Sequence, residues 1–192
     1  MEEIKEIAKL QHIPIIRDQT AEALVNLCKE VNPRKVLEIG TAIGYSGLLI
    51  LDSCDCMLTT IEKDANRISV ARENFQKYCQ AERIELIEGD AKEILSSLAK
   101  KREKYDLIFL DGAKGQYIHY YDDIKSLLGS GGVLFADNVL LQGMVKLQGE
   151  IPHKHRSMVV NMRKFLDRLK LDQDYQTEIF EIEDGYSISK LK

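Results

Sequence analysis

Five short apolar runs, with stretches of helical period between them, constrain this chain more than any other feature. Lys35 to Ile39 (KVLEI), Met57 to Ile61 (MLTTI), Ile84 to Ile87 (IELI), Tyr105 to Leu110 (YDLIFL) and Val133 to Ala136 (VLFA) have the length and continuity of buried strands. Between them, Asp64 stands as an N-cap ahead of Ile68, Ala71, Phe75 and Tyr78 on one helical face, and Ala91 to Lys101 and Tyr117 to Leu128 follow the same period. Parallel strands need long crossovers, so this alternation predicts an α/β fold with a mostly parallel sheet and helices on both faces. The C-terminus breaks the pattern: Gln176 to Ile182 and Tyr186 to Leu191 flank the short turn Glu183-Asp184-Gly185, a β-hairpin whose last strand runs antiparallel. The count is seven strands. We expect one domain over 1–192, with 1–34 as a helical cap segment.

Composition limits the function classes. The 192 residues carry 44% hydrophobic and 30% charged side chains, enough for a sizeable core without disulfides. A net charge of -4 argues against a surface that is wholly a nucleic-acid footprint, although a local basic patch remains compatible with it. No apolar run approaches the roughly 18 residues that span a bilayer, and Met1-Glu2-Glu3-Ile4-Lys5 lacks the features of a signal peptide. Cys28, Cys54, Cys56 and Cys79 form no CxxC pair and read as reduced packing residues. By elimination, a cytoplasmic location without membrane attachment is expected.

The turns at the strand ends carry the chemistry. After the first strand, Gly40-Thr41-Ala42-Ile43-Gly44 lets the backbone approach a ligand ahead of a helix N-terminus. Glu62 follows Gly40 by 22 residues, near the offset of about 20 expected for a carboxylate that accepts from ribose hydroxyls; it also suits a helix-start neighbour. Gly89-Asp90-Ala91 ends the third strand where an adenine edge would lie. Ala42 occupies the place of the middle glycine in the dinucleotide fingerprint, so an adenosine cofactor without a pyrophosphate fits better.

On the reaction side, strand four ends in Asp111-Gly112-Ala113-Lys114 and strand five in Asp137-Asn138. Two carboxylates and an amide oxygen make a hard donor set suited to Mg²⁺, Ca²⁺ or Mn²⁺, with positions left for substrate oxygens. A cation there would lower the pKa of an acceptor hydroxyl, and Lys114, its own pKa lowered by that cation and a neighbouring sulfonium, would take the proton. The plainer reading makes Asp137-Asn138 a strand-end turn and Lys114 a surface residue.

Together, Glu38-Ile-Gly-Thr-Ala-Ile-Gly-Tyr-Ser46, Asp111-x-x-Lys114 with Tyr117, Tyr120 and Tyr121, and Asp137-Asn-Val139 followed by Gly143 resemble the cation-dependent O-methyltransferases, which include catechol and caffeoyl-CoA O-methyltransferases. The resemblance runs from about Pro14 to the C-terminus and implies a class I methyltransferase (Rossmann-like) fold using S-adenosylmethionine. It implies Asp111, Asp137 and Asn138 as metal ligands, Ile16, Ser46, Glu62, Ala91 and Asp111 as cofactor contacts, and a homodimer. Asp111-Gly-Ala-Lys-Gly-Gln-Tyr117 resembles the version in bacterial tRNA 5-hydroxyuridine methyltransferases; plant enzymes usually have a second acid where Ala113 stands. The N-terminal segment, which helps cover the site in the family, is shorter than in many relatives.

A hydroxylated wobble uracil and a catechol both present two neighbouring oxygens, so the chelating chemistry does not separate them. From Lys146 to Lys170, seven Lys/Arg face two Asp/Glu, a local +5 just past Asn138. That stretch reads as a phosphate-binding patch or as a solvated helix face. The leading expectation is tRNA as acceptor, followed by a catechol-like small molecule and then by a non-catalytic module that binds S-adenosylmethionine.

Overall fold

The computed structural model describes residues 1–78 and 80–192; Cys79 lies outside the described residues. Two helices, α1 (Glu2–Leu10) and α2 (Asp18–Val31), precede β1 (Lys35–Ile39). The chain then alternates through α3 (Tyr45–Ser53), β2 (Met57–Glu62), α4 (Ala65–Lys77), β3 (Ile84–Glu88), α5 (Ala91–Lys100), β4 (Tyr105–Leu110), α6 (Tyr117–Leu127) and β5 (Leu128–Ala136). It ends with α7 (Arg156–Leu171), β6 (Tyr175–Phe180) and β7 (Tyr186–Leu191).

The strands form one seven-stranded sheet in the order β3-β2-β1-β4-β5-β7-β6. β1 to β5 are mutually parallel, and β7 inserts antiparallel between β5 and β6, as the hairpin spacing and the resemblance both led one to expect. Successive strand residues face opposite sides, and the core divides accordingly. Leu37, Ile39, Ile108, Leu110 and Leu134 pack with α5, α6 and α7 on one face. Val36, Leu107, Phe109, Val133 and Phe135 pack with α1 to α4 on the other. Each such side chain, fully buried, contributes about 1.5–3 kcal/mol before ordering entropy is counted.

Local chemistry sets the element starts. Asp64 caps α4 by accepting from Asn66 N at 2.9 Å and Arg67 N at 3.2 Å, and Asp90 caps α5 through Lys92 N at 3.0 Å. β5 begins five residues earlier than the sequence pattern indicates. Its register against β4 steps from Tyr105↔Leu128 to Leu107↔Val133, and Gly129-Ser130-Gly131-Gly132 bulges out between them. Three glycines carry no hydrophobic signal, so the bulge is invisible to periodicity. Cys28, Cys54 and Cys56 are free thiols, and burial is the main cause that pushes Cys28 up and Cys56 to about 12. Among the described residues no helix is long and apolar enough to cross a membrane.

Candidate active site

The parallel strands all end on one edge, and the turns leaving β1, β2, β3 and β4 enclose a cavity of about 320 Å³. Among the sequence-derived candidates, Ile16, Gly40, Ser46, Glu62, Asp90 and Ala91 line it. So do Asp111, Lys114 and Asn138. Asp137 is not on that wall; it is buried behind Asn138, with only 2% of its surface accessible.

The β1 turn is close-packed. Gly40 has a φ of +106°, and a Cβ there would stand 2.5 Å from the backbone oxygen of Asp111. Its amide donates to Ile61 O at 3.0 Å, and Asp111 N donates to Ile39 O at 2.9 Å, so this turn and the end of β4 are one unit. Ala42 also adopts a left-handed φ of 46°, which aims its amide at Glu62 Oε2 at 3.0 Å. The other oxygen of Glu62 accepts from Lys63 N at 2.9 Å and Asp64 N at 3.0 Å. Both readings of Glu62 therefore have a structural basis: it organises the start of α4, and it faces the cavity with acceptor capacity left for a ligand hydroxyl.

Under this turn lies a polar network that periodicity did not single out. Glu38 is fully buried; Ser46 Oγ donates to it at 2.5 Å and Thr60 Oγ1 at 2.6 Å. Thr60 in turn accepts from Thr41 Oγ1 at 2.6 Å, since its own proton is committed to Glu38. Burial pushes the Glu38 carboxyl up to about 7, against the two hydroxyls that favour its anion. A carboxyl whose folded pKa is raised contributes stability at low pH that is lost as pH rises from the unfolded value, near 4.5, through about 7. Glu38→Gln should remove that slope. Its melting temperature should change less than the wild type's between pH 5 and 8, and an unchanged wild-type slope in the variant would count against Glu38 as its source.

On the reaction side, Lys114 Nζ bonds the Asp111 carboxylate and donates to Tyr117 Oη at 3.2 Å. Tyr117 is fully buried; its hydroxyl lies 3.0 Å from Leu110 O and 3.2 Å from Asp137 O, tying the ends of β4 and β5 together. The lowered Lys114 pKa expected beside a cation and a sulfonium is a property of the loaded site; the protein's own groups raise it. Burial opposes the ammonium, but the neighbouring Tyr117 hydroxyl and the carboxylates of Asp111 and Asp137 outweigh it and raise the pKa.

Asp137 is pushed up to about 7 by burial and then by the charge of Asp111, with Lys114 and the Asn138 amide working against that shift. Asn138 N donates to Asp137 Oδ1 at 2.6 Å, and Asn138 has a left-handed φ of 54°. Among the described residues no three His, Cys, Asp or Glu side chains are arranged to hold a metal ion. A cation here would therefore depend on the Asn138 amide oxygen as its third protein donor. The two mutually repelling carboxylates beside that oxygen are a chemical fit for a hard divalent ion.

The basic stretch is partly spent on internal contacts. Arg163 donates to Val145 O at 2.9 Å and Leu147 O at 2.5 Å, Arg168 pairs with Asp122 at 2.5 Å, and Lys146 pairs with Glu181. Lys154, Arg156, Lys164 and Lys170 make no ion pair among the described residues. α7 reaches the site through Asn161, whose side chain donates to Gly115 O at 2.9 Å, next to Lys114.

Comparison with known proteins gives the chain's family and its fold relatives. The sequence profile of a family described as O-methyltransferase matches residues 1–192. A caffeoyl-CoA O-methyltransferase from Populus kitakamiensis is 29% identical over 171 residues, covering 85% of this chain and 72% of that protein. A crystal structure from Staphylococcus aureus, provisionally described as a caffeoyl-CoA O-methyltransferase, superposes with a TM-score of 0.91 at 32% identity, covering 100% of this chain and 91% of the other. An O-methyltransferase from Bacillus cereus in complex with SAH gives a TM-score of 0.89 at 23% identity, covering 100% and 90%, a likeness of fold.

Proposed function

Because the chain belongs to the O-methyltransferase family, we propose that it moves the methyl group of S-adenosylmethionine onto one of two neighbouring oxygens of a catechol-like small molecule, with a divalent cation at the acceptor. The observation that carries this reading is the single cavity that has Glu62 and Asp90 on one wall and Asp111, Lys114 and Asn138 on another. The caffeoyl group in the name of the Populus relative bears two adjacent hydroxyls of this kind. The fold partner from Bacillus cereus holds SAH, the demethylated cofactor, which supports the donor.

In this proposal Glu62 accepts from the ribose hydroxyls with its remaining lone pair, Asp90 and Ala91 border the adenine, and Ile16 covers the cofactor. Ser46 donates its hydroxyl hydrogen bond to Glu38, so towards the cofactor's ammonium its oxygen is an acceptor. Asp111, Asp137 and Asn138 would hold Mg²⁺, Mn²⁺ or Ca²⁺. When bound, that ion supplies positive charge that favours the ionised acceptor hydroxyl. Lys114 would act in its neutral form, its ammonium proton first released to solvent. Lys114 then receives the acceptor's proton, the oxygen attacks the methyl carbon in line, and the sulfonium leaves as a neutral thioether.

A second reading takes 5-hydroxyuridine in tRNA as the acceptor. It is favoured by Lys154, Arg156, Lys164 and Lys170, which lie on or just before the helix that packs against the Lys114 turn. The two readings separate in one assay: radiolabelled S-adenosylmethionine is offered to a catechol and to tRNA lacking the modification, with Mg²⁺ or with EDTA. Label in the catechol that EDTA abolishes is the expected result. Label confined to tRNA would replace the first reading by the second, and EDTA-resistant transfer would remove the cation from both.

A further inference from the structure

The hairpin turn that closes the sheet touches both flanks of the cavity. α2 has no side-chain cap of its own, since its N-cap residue Arg17 makes no capping bond. Its unpaired amides are taken instead by Glu183, from the far end of the chain. Thr20 N and Thr20 Oγ1 donate to Glu183 Oε2 at 2.9 and 2.8 Å, and Gln19 N reaches Oε1 at 3.4 Å. A carboxylate at this end also suits the helix dipole. The segment leading into the helix, Pro14-Ile15-Ile16, forms one side of the cavity.

The other half of the turn holds the loop beyond Asn138. Val139 N donates to Gly185 O at 2.8 Å, Leu140 N to Asp184 O at 3.0 Å, and Gln142 N to the Asp184 carboxylate. Asn138, Leu141 and Gln142 all have left-handed φ values, of 54°, 49° and 54°, which this loop does not hold by local preference. Gly185 has a φ of +74°, and a Cβ there would lie 2.3 Å from Leu140 Cγ, so the turn sits directly on the loop. Three consecutive residues thus join the first turn of α2 to the loop after β5.

We propose that Glu183-Asp184-Gly185 is a positioning clamp, in which Glu183 holds Pro14–Ile16 over the cofactor while Asp184 and Gly185 fix the loop that follows the acceptor residues. Glu183 touches neither ligand and acts through α2. The clamp rests on the cofactor reading given above.

The test uses Glu183→Ala, Glu183→Gln and Thr20→Val in the full chain. S-adenosylhomocysteine binding is measured by calorimetry, amide hydrogen exchange over residues 13–20 without ligand, and turnover at saturating cofactor. Loss of a charged cap should weaken S-adenosylhomocysteine binding in Glu183→Ala by about tenfold and speed exchange at Gln19 and Thr20 by a similar factor. Turnover at saturating cofactor should stay within about twofold of wild type. Glu183→Gln keeps an acceptor oxygen and should fall between, and Thr20→Val should add little to Glu183→Ala because the hydroxyl bond it removes is already lost there. If Glu183→Ala melts earlier but binds S-adenosylhomocysteine as wild type does, Glu183 is only a stabilising cap and the clamp is overturned. Wild-type protein that fails to bind S-adenosylhomocysteine would overturn the cofactor reading first and the clamp with it, a result recognisable without any variant.

Discussion

Asp137→Ala should lower methyl transfer by on the order of a thousandfold, a loss of about 4 kcal/mol of transition-state stabilisation, while S-adenosylhomocysteine binds within about threefold of wild type. The split follows from placement. Asp137 is buried behind Asn138 and is not on the wall of the cofactor cavity, whereas Asp111 is. Removing Asp111 would damage both functions; removing Asp137 isolates the acceptor side. Alanine leaves Asn138 N without its 2.6 Å acceptor, which costs roughly 1–3 kcal/mol. It also removes a buried carboxyl whose charged form the protein disfavours, so the net change in stability should be small near neutral pH. Asp137→Asn keeps a side-chain acceptor for that amide and is the control for loop shape. If Asp137→Ala retained a tenth of wild-type turnover at saturating Mg²⁺, Asp137 would have no place among the cation ligands.

Much of this architecture is legible in the sequence because parallel strands are buried on both faces. KVLEI and YDLIFL announce themselves as continuous apolar runs, and the structure gives them the limits Lys35–Ile39 and Tyr105–Leu110. Asp64 is legible as a cap because the side chain that starts its helix is local; that Asp90 caps α5 as well is a finding of the structure. What the sequence hides is what depends on distant partners. α2 looks uncapped until Glu183 is brought to it across 163 residues. Glu38 reads as one more strand residue until Ser46 and Thr60 converge on it.

Lys114 shows the same limit in electrostatics. Its spacing from Asp111 is visible in the sequence, but the sign of its pKa shift depends on burial set against Tyr117, Asp111 and Asp137 together. The basic stretch after Asn138 is legible as charge, and only the fold shows Arg163 tied to backbone carbonyls and Arg168 stacked on Tyr121 at 4.2 Å. For a charged residue, sequence gives the inventory and packing decides what is left to offer a ligand.

Gly40→Ala should be the most disruptive single methyl that can be added to this chain's cofactor turn, and a second glycine isolates the reason. Gly40 and Gly131 both have φ in the left-handed half of the map, +106° and +73°. Alanine at Gly131 meets nothing within 4 Å, so it should cost only the backbone strain, about 1 kcal/mol. Alanine at Gly40 adds a Cβ 2.5 Å from Asp111 O, a backbone atom with no flexible end to swing aside. Relief requires β1 to part from β4 where Asp111 N meets Ile39 O and from β2 where Gly40 N meets Ile61 O. We expect a loss of about 3 kcal/mol, seen as a fall of roughly 6–12 °C in melting temperature, against roughly 2–4 °C for Gly131→Ala. S-adenosylhomocysteine binding should drop by at least about a hundredfold in Gly40→Ala and stay at wild-type strength in Gly131→Ala, because the displaced Asp111 carbonyl drags the cofactor turn with it. Equal melting temperatures for the two variants would mean that positive φ alone sets the cost, and that the close approach of the β1 turn to the end of β4 is not what holds the cofactor and acceptor sides in register.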